Sequence, residues 1–383
     1  MPKIEKKRLG DIINLKRGYD LPSYDRENGL YPIISSSGLS DYHSQYKVDG
    51  EGVVIGRYGT LGEAHYINGK YWPLNTALYV TDFKGNSPKY VYYLLKCLGK
   101  FKTSDKSAVP GVNRNELHEV FVPYLHRESQ DKAAAILSAL DAKIELNNRI
   151  NAELESLAKT IYDYWFVQFD FPDDRGKPYK SSGGKMVYDK GIDRAIPAGW
   201  KVQTLSNIAN ITMGQSPSGS SFNEEKKGEI FFQGSTDFEW RFPTVRQYTT
   251  EPSRMAKKGD ILLSVRAPVG TLNIADNDCC IGRGLAALRS KYGFDAYLFY
   301  VMEYFKSIFD RRNSSGTTFG SINKDDLSTL KLIYPTKEYL TKYDLIVSKY
   351  NEMILNNHKQ NQQLIQLRDW LLPMLMNGQV SVK

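Results

Sequence analysis

Two long stretches of the chain carry apolar residues at alternating intervals of three and four, which predicts amphipathic helices able to pair with one another. The second half of the first stretch reads LNNRINAELESLAKTIYDYWF, from Leu146 to Phe166. The second stretch contains the similar LNNHKQNQQLIQLRDWLLPML, from Leu355 to Leu375. The same helical sequence therefore occurs twice, far apart in the chain.

The spacing defines a seam in each predicted helix, meaning the row of side chains that faces the partner helix. The first seam consists of Leu137, Leu140, Ile144, Asn147, Asn151, Leu154, Ala158, Ile161 and Trp165. The second consists of Ile346, Tyr350, Met353, Asn357, Gln360, Leu364, Leu367, Leu371 and Met374. Two interpretations of the polar centre stay open. Either the Asn and Gln side chains form a buried layer that sets the register, or they face water and the seam runs through Leu146 and Ile150.

The segments before the two helices also match each other, in the same order. Lys7–Gly18 corresponds to Gln203–Gly214. Val53–Ile67 corresponds to Ile261–Ala275, and both read as an apolar strand, an Arg-containing turn and a second strand, which predicts a hairpin. An apolar-rich helix and then a short helix with a strand complete each copy, at Pro88–Leu98 with Val112–Pro123 and at Asp295–Phe305 with Ile322–Pro335.

These matches predict a duplicated α/β (mixed α+β) domain, each copy followed by a long helix. The predicted parts are a first domain at 1–126, a helical region at 127–168, a linker rich in Gly, Pro, Lys and Asp at 169–200, a second domain at 201–336 and a C-terminal helix at 337–378. Because the ends of a compact domain lie close together, the two helices are expected to run antiparallel as a coiled coil. About 40 residues at ~1.5 Å each would make a spacer of up to ~60 Å between the domains.

Charge and composition narrow the class of protein. The chain has 383 residues and a formal net charge of +8, which favours a polyanionic partner, although a basic protein without one fits equally well. Its 26 tyrosines suit either stacking on nucleic acid or, more commonly, a tyrosine-rich core. Three cysteines give no disulfide framework and no zinc spacing. With no apolar run able to span a bilayer and no signal peptide, a cytoplasmic location without membrane attachment is expected.

The sequence offers little catalytic chemistry. No Gly-Lys pair is followed by Ser or Thr as in a P-loop, IGRGLA at Ile281–Ala286 lacks one glycine of a dinucleotide fingerprint, and the five histidines are scattered. Pro172–Asp174 has no nuclease lysine after it, and no Pro-Pro loop of an adenine methyltransferase occurs. We therefore expect no catalytic residue, no metal site and no cofactor in this chain.

Three segments carry a resemblance to a known family. IYDYWFVQFD at Ile161–Asp170, IPAGWKVQTLSNIANITMGQSP at Ile196–Pro217 and LRDWLLPMLMNG at Leu367–Gly378 resemble the specificity subunit of type I restriction-modification systems. The similarity extends over almost the whole chain, as two target-recognition domains with helical spacers.

The resemblance implies a division of labour among subunits. Each domain would read one half of a split double-stranded DNA target, and the helices would set the gap and form the interface for two modification subunits. Those partners would bind S-adenosylmethionine and methylate adenine, while restriction subunits would translocate and cleave DNA. The seam residues are then candidates for both the coiled coil and the partner interface.

Candidate DNA-binding residues fall into three groups. On the predicted hairpins, side chains that could read base edges are Arg57, Tyr58, Thr60, Ser264 and Arg266. In two matching polar loops they are Lys106, Asn113, Thr317 and Thr318, and the candidate phosphate contacts are Lys16, Arg17, Lys257 and Lys258. An Arg on a Gly-rich hairpin is also a common structural ion-pair partner, so the role of the hairpin residues stays open.

Two other classes of protein remain possible on the sequence. One is a coiled-coil scaffold whose two α/β domains bind peptides, which salt-sensitive DNA binding by the complex would exclude. The other is a nuclease or methyltransferase with degenerate motifs, which methyl transfer by the chain alone would support.

Overall fold

The computed structural model describes four stretches of the chain: 5–57, 63–101, 113–314 and 321–382. They divide into two compact units. The first comprises Met1–Asn148 with His358–Lys383, and the second comprises Arg149–Asn357. Each unit therefore contains one α/β domain and a part of both long helices.

The first unit contains the first α/β domain and the start of the first long helix. Its elements in chain order are β1 (Lys6–Arg8), α1 (Leu9–Ile12), β2 (Asn14–Arg17), β3 (Tyr31–Ser35), β4 (Gly38–His43), β5 (Glu51–Gly56), β6 (Ala64–Asn68), β7 (Trp72–Pro73), β8 (Ala77–Asp82), α2 (Pro88–Phe101), α3 (Arg114–His118), β9 (Phe121–Pro123) and α4 (Arg127–Tyr162). Residues of α4 beyond Asn148 belong to the second unit.

The second unit continues α4 with a π-helical turn at Asp163–Val167. Its further elements are β10 (Met186–Asp189), β11 (Arg194–Pro197), β12 (Lys201–Thr204), α5 (Leu205–Ile208), β13 (Ala209–Met213), β14 (Phe222–Asn223), β15 (Glu229–Phe232), β16 (Gln247–Thr249), β17 (Met255–Ala256), β18 (Ile261–Ser264), β19 (Leu272–Ile274), β20 (Cys279–Ile281), β21 (Leu285–Ser290), α6 (Asp295–Ser314), α7 (Lys324–Ser328), β22 (Lys331–Tyr334) and α8 (Lys337–Met376). Residues of α8 from His358 onward belong to the first unit.

The strand order confirms the predicted duplication. The central sheet has the order β2-β8-β5-β6 in the first unit and β13-β21-β18-β19 in the second, with antiparallel neighbours in both. The predicted hairpins are β5–β6 and β18–β19. A second sheet repeats as well, because β3 pairs in parallel with β7 and β15 pairs in parallel with β20.

Each central sheet is covered on both faces, which explains its continuous apolar strands. Successive side chains of a strand point to opposite faces. Val53 and Ile55 of β5 join the core that contains α2, whereas Val54 joins the core of the second sheet with Ile34. In β18, Leu262 likewise lies in a different core from its two neighbours. The domains therefore have a helix, a sheet and a second sheet as layers.

In α4 the buried row of side chains runs through members of the first seam. Asn147, Asn151 and Leu154 are buried, whereas Leu146, which belongs to the alternative seam, is 39% exposed. Further seam members are half-buried: Leu140, Ile144, Ile161 and Trp165.

The seam predicted for α8 needs a correction of one residue at every second position. Ile354 and Asn361 are buried, whereas Met353 is 48% exposed, Leu367 is 43% exposed and Gln360 is exposed. The other predicted members are half-buried: Ile346, Tyr350, Asn357, Leu364, Leu371 and Met374. Met353 and Gln360 are each followed by a residue of similar polarity, so the spacing alone did not decide which of the two faces the partner helix. After Leu367 the residue that contacts α4 is Arg368, which bonds to Asp141.

Asparagines make the polar centre of the helix pair. In the first unit the Asn147 amide donates to the side-chain oxygens of Gln360 and Asn361, at 2.8 Å each. In the second unit the Asn357 amide donates to Asn151 at 2.9 Å. The polar side chains are thus paired with one another, and Gln360 joins them from the exposed edge.

The helices run antiparallel within each unit. In the first unit, Asp141 of α4 precedes the Asn layer and binds Arg368 of α8, which follows it, at 2.8 Å. In the second unit the Tyr343 hydroxyl donates to the Ala158 carbonyl at 3.2 Å. Earlier residues of one helix therefore contact later residues of the other in both units.

The segment 169–200, predicted as a linker, is a folded part of the second unit. It forms the antiparallel hairpin β10–β11. Phe169, Phe171 and Trp200 are buried, and the Phe171 ring stacks on Trp200 with centroids 4.9 Å apart. Aromatic residues placed among the Gly, Pro and Lys residues account for the difference, because their burial outweighs the loop-forming tendency of their neighbours.

Candidate nucleic-acid interface

One end of the central sheet brings three backbone segments of the first unit together. Beyond the end of β2, Gly18 donates its N–H to Ala77 at 3.1 Å and Tyr19 donates to Pro73 at 2.8 Å. Beyond the end of β5, Arg57 donates to Thr76 at 3.2 Å. We call these three segments, 17–19, 56–57 and 73–77, the sheet-end frame of the first unit.

The second unit has the same frame, made by 213–215, 264–265 and 281–285. Gly214 donates its N–H to Leu285 at 2.9 Å and Gln215 donates to Ile281 at 3.0 Å. Val265 donates to the Gly284 carbonyl at 2.9 Å. The residue that corresponds to Arg57 is therefore Val265, as the match of Val53–Ile67 with Ile261–Ala275 predicted.

A glycine is required at the same point of both frames. A Cβ on Gly18 would lie 2.2 Å from the Leu74 carbonyl oxygen, and a Cβ on Gly214 would lie 2.2 Å from the Gly282 carbonyl oxygen. No side chain fits so close to a backbone atom. The glycine repeated in the two matching segments thus lets the end of β2 or β13 approach the backbone that precedes β8 or β21.

Polar groups surround the frame of the first unit. The Arg17 guanidinium donates from Nε to the Asn75 carbonyl at 3.3 Å and lies 3.8 Å from Asp20. The Asn75 amide also bonds to Asp20. The Tyr19 hydroxyl bonds to Tyr79 at 2.9 Å, and the Lys16 ammonium lies 5.4 Å from the centre of the Tyr19 ring.

A different set of polar groups surrounds the second frame. The side chains of Ser216 and Gln233 are hydrogen-bonded at 2.9 Å, and the Arg283 N–H donates to the Ser216 hydroxyl at 3.3 Å. Arg283 is exposed. These residues were missed from the sequence, since IGRGLA was considered only as a nucleotide fingerprint and as a turn. The sequence did offer one signal for them, since IGRGLA leads directly into β21, a strand of the repeated central sheet.

Two of the predicted DNA-binding residues have structural tasks. Ser264 is 1% exposed, and its hydroxyl bonds to the carbonyls of Arg266 and Pro268 at 2.8 and 2.6 Å, so it cannot reach a base. The Asn113 side chain caps α3 by accepting from the Asn115 N–H at 3.0 Å. A side chain used to cap a helix has that oxygen occupied. Arg266 is exposed beside the second frame.

Lys257 and Lys258 lie away from the frame. They precede β18, whose opposite end contributes to the frame, and a strand of this length separates its ends by roughly 10 Å. Lys257 pairs with Asp278 at 2.8 Å, and this hydrogen bond raises the pKa of Lys257. The Lys258 N–H donates to the same carboxylate. Lys257 therefore forms a surface ion pair, and the Lys258 backbone binds the same carboxylate.

Some predicted residues fall outside the described part of the chain: Tyr58, Thr60, Lys106, Thr317 and Thr318. Among the residues that are described, no three His, Cys, Asp or Glu side chains group as ligands for a metal ion. None of the helices in those same stretches combines the length and apolarity needed to cross a membrane.

Comparison with known families identifies the duplicated domain. The family model of the type I restriction modification DNA specificity domain matches this chain twice, at residues 1–156 and 197–366. The chain belongs to the type I restriction-modification specificity subunits. As a specificity subunit it is a non-catalytic DNA-recognition component of a larger restriction-modification complex.

Relatives and solved structures agree with this family. The putative type I restriction enzyme MjaX specificity subunit of Methanocaldococcus jannaschii is 32% identical over 305 residues, covering 77% of this chain and 69% of the relative. The MjaIX specificity subunit of the same organism is 27% identical over 323 residues, with the same coverage of both chains. The crystal structure of the type I S subunit from M. genitalium has the same fold, with a TM-score of 0.66 at 17% identity over 98% of this chain and 97% of that one.

Proposed function

We propose that each α/β domain reads one half of a bipartite double-stranded DNA target with the side chains around its sheet-end frame. The observation that carries this proposal is that one backbone arrangement presents two different sets of polar side chains. Arg17, Tyr19 and Asn75 stand at the first frame, and Gln233 and Arg283 stand at the second. Arg, Asn and Gln are the side chains that pair bidentately with base edges, so two such sets specify two different half-sites.

Substitutions at one frame test this assignment. Arg283→Gln is expected to relax one position of the second half-site, because a lost bidentate contact costs ~1–3 kcal/mol of discrimination, or roughly tenfold or more. Arg17→Gln is expected to do the same in the first half-site only. The readout is the set of methylated adenines in DNA treated with the reconstituted complex. Arg246→Gln is the matched control, since this exposed Arg pairs with Asp237 at 2.9 Å. A substitution that altered both half-sites, or neither, would contradict the assignment.

We propose further that the helix pair carries two modification subunits, which bind S-adenosylmethionine and methylate one adenine on each strand. Leu157 of α4 is 49% exposed and Leu367 of α8 is 43% exposed. The bonds of Asn147 with Asn361 and of Asn151 with Asn357 make Asn147 correspond to Asn357, and by the same count Leu157 corresponds to Leu367. One kind of partner surface would therefore bind both leucines. Restriction subunits would join this complex. Leu157→Glu and Leu367→Glu should each weaken the binding of one modification subunit. The mass of the assembled complex measures this, and a variant that still bound two modification subunits per specificity subunit would refute the proposal.

The helix pair is also proposed to fix the gap between the half-sites. Asn151 and Asn357 face each other, so seven residues inserted after Asn151 and seven inserted before Asn357 would keep the packing in register. The insertion would lengthen the pair by about 10 Å, which is roughly three base pairs of DNA. The methylated sequence should keep both half-sites and gain a gap longer by about that amount. An active variant that retained the original gap would assign the spacing to the partner subunits.

A further inference from the structure

A loop of the second recognition domain reaches the helix pair of its own unit. This loop, FEWRF at residues 238–242, lies between β15 and β16. Arg241 is almost fully buried, with 1% of its side chain exposed. Its guanidinium donates to Glu155 of α4 at 3.0 Å and to Asn351 of α8 at 2.8 Å. One side chain therefore connects the recognition domain to both helices.

Neighbouring contacts fix this loop in place. The Arg241 guanidinium lies 3.9 Å from the centre of the Phe299 ring of α6, a stacking contact that suits its planar cation. Phe242 is buried in a cluster with Leu154 and Ile354, one from each long helix. The Ile274 N–H donates to the Arg241 carbonyl at 2.9 Å, which attaches the loop to β19 of the central sheet.

The corresponding connection of the first recognition domain, which the structure describes in full, is short. There the strands β3 and β4, which match β15 and β16, are separated by Ser36 and Ser37 alone. A two-residue turn cannot extend to a helix pair, since a residue spans at most ~3.6 Å. Of these two corresponding connections, only the one in the second domain therefore makes a contact like that of Arg241.

We propose that the loop 238–242 is a positioning element that holds the second recognition domain in one orientation on α4 and α8, with Arg241 as the central positioning residue. A guanidinium that binds two helices and stacks on a third permits a single geometry, whereas apolar packing tolerates small rotations. The orientation of this domain determines where its sheet-end frame meets the DNA. The loop thereby contributes to the choice of gap length. This inference rests on the proposed reading of a bipartite target.

The experiment measures gap selectivity in the reconstituted complex with its modification subunits. DNA duplexes carry the mapped half-sites with the native gap or with a gap changed by one base pair, and the ratio of methylation rates is determined. Arg241→Gln is expected to lower this ratio by about tenfold, which corresponds to ~1.4 kcal/mol. Arg241→Lys keeps the charge beside Glu155 but cannot bind both helices, so it should lower the ratio by roughly threefold. Arg246→Gln, at an exposed Arg ahead of β16, should leave the ratio unchanged.

Asn351→Ala keeps the test valid if the Arg241 variants fail to fold, because it removes only the hydrogen bond to α8. It should reduce gap selectivity by about twofold with the rate at the native gap nearly intact. Folded variants at both positions that kept wild-type selectivity would overturn the inference. If the wild-type complex itself methylated no bipartite site, the proposed function would fail instead, so the two failures are distinguishable.

Discussion

The two recognition domains share a sheet and a frame but differ in how an arginine is used at their helices. In the second unit Arg241 comes from the recognition domain and is buried between α4 and α8. In the first unit Arg368 comes from α8 itself, and Asp141, its partner, also accepts from the Tyr93 hydroxyl at 2.7 Å. Duplication has therefore kept the central sheet and its frame, while the attachment to the helices has changed.

The largest expected difference concerns these two arginines. Arg241→Met leaves Glu155 without its buried partner and should lower the free energy of unfolding of the second unit by about 3–5 kcal/mol. Arg368→Met should cost the first unit only about 1–2 kcal/mol, because Asp141 keeps the Tyr93 hydroxyl and both charges are partly exposed. Hydrogen exchange resolved by unit measures both values. Equal losses would mean that the two attachments are energetically alike.

The frame glycines test what the two units share. Gly18→Ala and Gly214→Ala each place a Cβ 2.2 Å from a carbonyl oxygen, so each should destabilise its own unit by about 1–3 kcal/mol. Gly219→Ala is the control, since its Cβ would meet no atom within 4 Å, and urea unfolding should change little. A frame glycine that tolerated alanine as well as Gly219 does would show that its unit lacks the close approach.

The asparagine layer gives a smaller effect of opposite sign. Asn147→Leu combined with Asn361→Leu removes a buried polar pair of the first unit. The double variant should have a free energy of unfolding higher by about 1 kcal/mol, which is measured as a higher melting temperature. If the polar pair fixes the helix register, the same complex should also use gap lengths less selectively. Asn361→Leu alone should instead destabilise, since it leaves the Asn147 amide with one partner fewer. If the double variant were stabilised and its gap selectivity were unaltered, the asparagine layer would not set the helix register.

The smallest expected effect is a difference between the two units in how their stability depends on pH. His118 of α3 accepts the Leu15 N–H at 3.0 Å, and burial, together with Arg114 and Lys84, lowers the pKa of His118 below 6.5. A lowered histidine pKa contributes stability that is present above pH 6.5 and is lost as pH falls through the folded value. The corresponding residue of the second unit is Ser328, so mild acid should loosen the first unit alone. His118→Gln should abolish this difference in hydrogen exchange.

The sequence contained enough information for the fold because the repeat supplied an internal comparison. Val53–Ile67 and Ile261–Ala275 predicted the same hairpin, and the structure confirms it. The α8 seam was misplaced at Met353 because the isolated helix offers Ile354 as an equally apolar choice. Only the partner helix decides between such neighbours.

The candidate site was less predictable, because it depends on backbone contacts between residues distant in the chain. Arg57 and Arg17 meet at one frame through carbonyls of Asn75 and Thr76, and nothing local in the sequence signals this. Ser264 looked accessible on a hairpin, yet its hydroxyl closes the turn. Hydroxyl and Asn side chains bond readily to nearby backbone, which makes them ambiguous as predictors of DNA contact.

The division of the chain also sets an order of events during synthesis. The first unit needs residues from His358 onward, and Leu372, Leu375 and Met376 lie in the same core as Ala133, Ala134 and Leu137. A ribosome that adds about 5–20 residues per second needs on the order of 10–40 s to travel from Asn148 to His358. The second unit is fully synthesised only at the end of that interval, and at that point the first-made domain still lacks the part of its core that follows His358. The domain translated first is therefore the last to finish folding.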